Sequence, residues 1–162
     1  MDSPPIPTPN PIPTTPVPYK GQLFESTGVL RYNIKDGYGY RLVVEIDKAI
    51  VDYYRALIPP WKGKINRQMY APHISVVRNE VPANLDAWAK YEGEEIKFLY
   101  SNHIYHGTVY WWLNAFCTRL EDIRLELGLP VSSQFTRPPE GFVKCFHITI
   151  GNMKEQEHGC KE

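Results

Sequence analysis

Pro72-His73-Ile74-Ser75-Val76 is a short run in which apolar and polar side chains alternate, and its pattern returns as Phe146-His147-Ile148-Thr149-Ile150. Side chains along a strand point to opposite faces in turn. His73 and Ser75 therefore share one face and Ile74 and Val76 the other, and His147 and Thr149 are separated in the same way from Phe146, Ile148 and Ile150. One face feeds an apolar core, and the opposite face presents an imidazole beside a hydroxyl.

The chain upstream of each run has a similar order. Gly28 to Lys35 and Tyr40 to Asp47 are rich in β-branched and aromatic residues around the turn signal Asp36-Gly37, which predicts a hairpin. Asp47 is placed to cap a helix reaching about Leu57, because Ile50, Tyr53, Tyr54 and Leu57 fall at helical spacing and Pro59-Pro60 forbids continuation. A strand over Pro72 to Val77 follows. The second half offers an apolar stretch from Glu95 to Tyr105, a turn at Gly107, a strand from Thr108 to Leu113, and a helix from about Asn114 to Leu127 ended by Gly128 and Pro130. After a proline-rich loop at Arg137 to Gly141, a strand from Val143 to Ile150 closes the unit. Strand, helix and histidine-bearing strand thus occur twice, an internal duplication of element order and not of residue identity.

The 162 residues suit one compact domain or two fused half-domains sharing a cleft. Lysine plus arginine equals aspartate plus glutamate at 18 each, so the net charge does not advertise duplex DNA and leaves a small nucleotide or a local basic patch as the charged partner. Cys117, Cys145 and Cys160 form neither a CxxC pair nor an even-numbered disulfide framework, which points to a reducing cytosol. No run approaches the roughly 18 apolar residues of a membrane span, and no signal-peptide stretch opens the chain, so a soluble cytoplasmic protein is expected. Residues 1–18 hold eight of the fifteen prolines. They read as a polyproline-like or disordered tail able to dock on a partner's aromatic groove, with one folded domain over residues 19–162.

Paired histidines suit phosphodiester cleavage, which needs one group to take a proton from the nucleophile and another to give a proton to the departing oxygen. Histidine does both near neutral pH. Ser75 and Thr149 would donate to the non-bridging phosphate oxygens, where charge builds in the transition state. This chemistry requires no metal and no cofactor. Fewer than one His-x-Ser/Thr match is expected by chance among five histidines in a chain with 14 Ser and Thr residues, and three occur. The third, His106-Gly107-Thr108, carries a turn glycine and precedes a strand and helix instead of closing a repeat.

On these motifs the chain resembles the 2H phosphoesterase superfamily, over roughly residues 28–152. His73-Ile74-Ser75-Val76-Val77-Arg78 is similar to the His-x-Thr-hydrophobic-x-Arg form of the LigT-like branch, the RNA 2′,3′-cyclic phosphodiesterases. His147-Ile148-Thr149-Ile150-Gly151-Asn152 has Asn152 where that branch often places arginine. Phage-encoded anti-CBASS enzymes, which linearise cyclic oligonucleotide signals such as cGAMP, are similar in size and in their paired motifs, and would act in the host cytosol. The resemblance implies an α+β fold of two pseudo-symmetric lobes, each an antiparallel sheet backed by helices, with the histidines meeting in a central cleft. It implies a metal-independent hydrolase acting on a cyclic oligonucleotide or on an RNA 2′,3′-cyclic phosphate end. The alternative is a binding module that keeps the groove and only sequesters a nucleotide or RNA end.

Alternation also nominates neighbours for the groove. If Val109, Trp111 and Leu113 face the helix, Thr108, Tyr110 and Trp112 face the groove, where an aromatic wall would stack a nucleobase. Leu42, Val44 and Ile46 look to the core and leave Arg41, Val43 and Glu45 opposite, so Arg41 is a phosphate candidate, as are Arg78 and Arg137 beside the motif strands. His103 and His106 have a spacing metals sometimes use, without a carboxylate or cysteine set to complete it. His158 and Cys160 lie in a polar tail, Glu155 to Glu162, expected to fray or to fold over a ligand.

Overall fold

The computed structural model describes residues 21–35, 39–133 and 145–154. The proline-rich tail, the Asp36-Gly37 turn, Arg137 with its loop, Val143, and the tail with His158 and Cys160 lie outside the described residues. The elements are β1 (Leu23–Lys35), β2 (Gly39–Ile46), α1 (Lys48–Ala56), β3 (His73–Arg78), β4 (Glu95–Ser101), β5 (Tyr105–His106), β6 (Tyr110–Phe116), α2 (Thr118–Glu126) and β7 (Phe146–Asn152).

The strands run β4-β1-β2-β3-β7-β6-β5, each pairing antiparallel, and a further β4–β6 pairing joins the ends. The result is a closed six-stranded barrel with β5 as an appendage of β6, and it overturns the expected pair of helix-backed lobes around a central cleft. The reason lies in β1. Its later residues pair with β2 while its earlier residues pair with β4, so the first half of the chain bonds to the second at the outer strands as well as at the motif strands. The two ladders overlap at Gly28 and Val29, and Gly28 lies opposite both Ile46 and Ile96. A Cβ there would sit 2.4 Å from the Glu45 carbonyl oxygen and 2.5 Å from Val44 Cγ1, so only glycine lets the strands approach this closely.

What repeats is the order of elements. Each half supplies a strand, a second strand, a helix and a histidine strand, and the ring reads β1-β2-β3 on one side of the β3–β7 seam and β4-β6-β7 on the other.

The core is a belt around the barrel. Leu30, Val44, Ile74, Ile148 and Leu113 occupy successive cross-strand positions and are wholly buried, and Ala115 opposite Tyr100 carries the belt into β4. Each such side chain contributes about 1.5–3 kcal/mol on burial. The opposite face of β1 and β4 carries exposed Thr27, Arg31, Glu95 and Lys97, so the apolar side is the inner one. Ile50, Val51 and Tyr54 of α1 and Leu120 and Ile123 of α2 join the same core.

Asp47 caps α1 as expected, its carboxylate accepting from the Ala49 amide at 2.9 Å. The second helix starts later than its spacing suggests. Asn114, Ala115 and Phe116 pair with β7 and β4, so β6 runs to Phe116 and α2 begins only at Thr118. Among the described residues no helix is long and apolar enough to cross a membrane.

Candidate active site

The two histidine strands meet at the seam, where β3 and β7 are registered through Ile74 and Ile148. Antiparallel continuation of that pair sets His73 across from Thr149 and Ser75 across from His147. Four polar side chains therefore form a two-by-two array on the outer face of the barrel, with the imidazoles on one diagonal and the hydroxyls on the other. Diagonal positions on adjacent strands lie about 7–8 Å apart, a span one phosphate can bridge. All four side chains are half-buried, which leaves the array a path to solvent.

Each histidine strand carries a β-bulge at the same place. Val43 pairs with Ser75 and Leu42 with Val77, so Val76 has no partner on β2. Trp112 pairs with Thr149 and Trp111 with Gly151, so Ile150 has none on β6. Both bulges fall three residues after the histidine. Strict alternation would turn Arg78 away from His73, but the extra residue reverses it. Val76 and Val77 both go to the core, and Arg78 pairs with Arg41 on the histidine face.

The imidazoles are held in a defined electrostatic state. His73 Nδ1 lies 2.6 Å from the Ala71 carbonyl oxygen; since a carbonyl only accepts, Nδ1 carries the proton and Nε2 is left for a ligand. Burial lowers the His73 pKa below the ordinary imidazole value, the Ala71 bond offsets part of this, and Arg41 and Arg78 lower it while Glu45, across the ladder, raises it. Burial, reinforced by Arg78 and His73, pushes His147 down to about 4. Arg78 thus acts on both rings. Two like charges directly opposite on adjacent strands, Arg41 and Arg78, are destabilising unless an anion lies between or beside them.

Other nominated residues border the array. Trp112 is opposite Thr149, on the histidine face, and its ring stacks on Tyr105 at 6.0 Å between centroids. On the β2 side the Arg41 guanidinium lies over the Tyr70 ring, 5.6 Å from its centroid. Tyr110 stands beyond the β7 bulge, opposite Asn152, with Lys154 Nζ 5.3 Å over its ring. Asn152 takes the arginine's place in the second motif but does a different job. It is buried, its amide donates to Gln68 Oε1 at 2.6 Å, and its backbone pairs with Asn66, so it pins the loop that precedes β3.

Ala71, Asn114, Tyr105 and Tyr70 are site neighbours that the motif pattern does not reveal. Asn114 is buried directly opposite His147 and is linked to Cys145, whose Sγ is 3.8 Å from Asn114 Oδ1. A lone asparagine inside an apolar strand is its only signal, and the helix expected there hid it. Burial pushes the Cys145 thiol up to about 12, so it is no nucleophile at neutral pH. His106 stacks on Trp111 at 4.3 Å and His103 meets Tyr105 edge-on at 4.5 Å. Among the described residues no group of three or more His, Cys, Asp or Glu is arranged to hold a metal ion. No family model, curated protein or solved structure matches this chain.

Proposed function

We propose that this chain is a phosphodiesterase of the paired-histidine kind its motifs resemble, cleaving a nucleotide phosphodiester without a metal ion. The observation that carries the reading is the two-by-two array of His73, Ser75, His147 and Thr149 across the seam. A phosphate seated there receives Ser75 and Thr149 hydroxyls on its non-bridging oxygens, with Arg78 and Arg41 beside it to balance the charge that builds in the transition state.

The surroundings divide the proton work. Burial and the neighbouring arginines disfavour the charged form of both rings, but at His73 the Ala71 carbonyl and Glu45 offset part of that effect, whereas at His147 burial, Arg78 and His73 all act in the same direction. An anion in the site raises both rings, and the proton settles on His73. Neutral His147 then takes the proton from the attacking oxygen as the new P–O bond forms, and His73 Nε2–H protonates the oxygen that leaves as the old P–O bond breaks. Trp112 with Tyr105 supplies a surface for a nucleobase. The substrate is a cyclic oligonucleotide or an RNA 2′,3′-cyclic phosphate end in the cytosol.

The test is chromatography of a panel of 2′,3′-cyclic, 2′,5′-linked and 3′,5′-cyclic nucleotides incubated with the purified protein in excess EDTA. Turnover of at least one substrate is expected, falling about 100-fold or more in both His73→Ala and His147→Ala. Tight binding without product across the panel would instead show a sequestering module.

A further inference from the structure

Val76 in β3 and Ile150 in β7 are buried and have no register partner across the bulge, so each carries an interior backbone carbonyl where the ladder is disrupted. Such a group must find another donor. Both find an arginine. Arg124 of α2 donates through Nη1 to the Val76 oxygen at 2.6 Å, and Arg55 of α1 donates through Nη1 to the Ile150 oxygen at 3.3 Å. The pattern is crossed: the helix of the first half holds the histidine strand of the second, and the helix of the second holds that of the first.

Each guanidinium is itself fixed by a carboxylate. Arg124, wholly buried, makes paired bonds to Glu80 at 3.0 and 2.8 Å and a further one to the Pro130 carbonyl at 2.6 Å. Glu80 also accepts from the Arg78 backbone amide at 3.2 Å, so one carboxylate ties Arg124 to the residue the bulge turns toward the histidines. Arg55 is held by Asp52 at 2.6 Å. Charge-assisted bonds of this type are shorter and stronger than neutral ones. They act where the ladder is thinnest, because β3 and β7 are registered through a single pair.

We infer that Arg55 and Arg124 are positioning residues for the paired-histidine site, each locking the bulge in the opposite half so that the two motifs stay aligned on one phosphorus atom. This rests on the phosphodiesterase reading for its kinetic consequence but not for its geometric one. Neither arginine touches the array, and each acts through a main-chain carbonyl.

The experiment follows the His73 and His147 ring resonances by NMR in Arg55→Met, Arg55→Lys and Glu80→Gln, with steady-state kinetics on any substrate the wild type turns over. Glu80→Gln is used because replacing the wholly buried Arg124 risks the fold. Arg55→Met is expected to shift His147 more than His73, Glu80→Gln to shift His73 more than His147, and Arg55→Lys to restore much of the Arg55→Met change. In Arg55→Met kcat is expected to fall about 10- to 100-fold with KM within about 2-fold, as a misplaced catalytic group produces. Unmoved resonances, uncrossed shifts, or an unchanged kcat in a folded Arg55→Met protein would overturn the inference. A wild type inactive on every substrate with crossed shifts intact would instead sink the phosphodiesterase reading and leave the positioning role standing.

Discussion

At the scale of single residues, His147 sets the pH response. An unfolded imidazole titrates near the ordinary value of 6.5, while burial and Arg78 hold folded His147 at about 4. Between these values the unfolded chain binds a proton that the folded chain refuses. The stability from the neutral ring is therefore complete above pH 6.5 and is lost as pH falls toward 4, by about 3 kcal/mol in all. The urea midpoint of the wild type should drop between about pH 7 and pH 5, and that of His147→Asn should drop less. Equal losses in the two proteins would show that His147 titrates normally in the fold. That His73 shares a face with Ser75, and His147 with Thr149, was legible in the sequence, because period-two alternation alone sets each pair on one side of its strand. Arg78 was nominated by its nearness in sequence and by its likeness to the motif's closing arginine, while alternation places it on the wrong face until the Val76 bulge is known.

At the scale of elements, local chemistry was readable and pairing was not. The Asp47 cap, the end of α1 and the end of α2 at Gly128, which has a φ of 79°, follow from residues within a turn of each boundary. The start of α2 does not. Asn114 to Phe116 are strand because β7 and β4 lie alongside, a long-range contact that outweighs the helical spacing. Gly28 is the sharpest case, for nothing near it in the chain marks it as lying in the overlap of two ladders. Gly28→Ala should destabilise the protein by about 1–3 kcal/mol, measured as a lower urea midpoint at unchanged slope, because the new Cβ meets the Glu45 carbonyl. A midpoint within error of the wild type would mean that β1 and β2 are not packed so closely.

At the scale of the whole molecule, the duplicated order of elements was legible while the closure of the barrel was not. Two similar halves suggest two lobes, and only the pairing of β1 with β4 turns them into one ring. A barrel closed this way should not divide. A fragment of residues 19–93 leaves the β3–β7 and β1–β4 ladders without partners and should give the circular dichroism of an unfolded chain, whereas a cooperatively folding fragment would restore the two-lobe picture.

The ring also brings two histidines that stand far apart in the chain to one seam. The most direct measurement of that claim is the single-turnover rate of His73→Ala, His147→Ala and the double variant on one phosphodiester. Groups that act together on a single phosphorus atom give losses of about 100-fold or more for each single variant, and a double variant little slower than the worse of the two. Single variants as fast as the wild type, or a double variant slowed by the product of the two single effects, would contradict it.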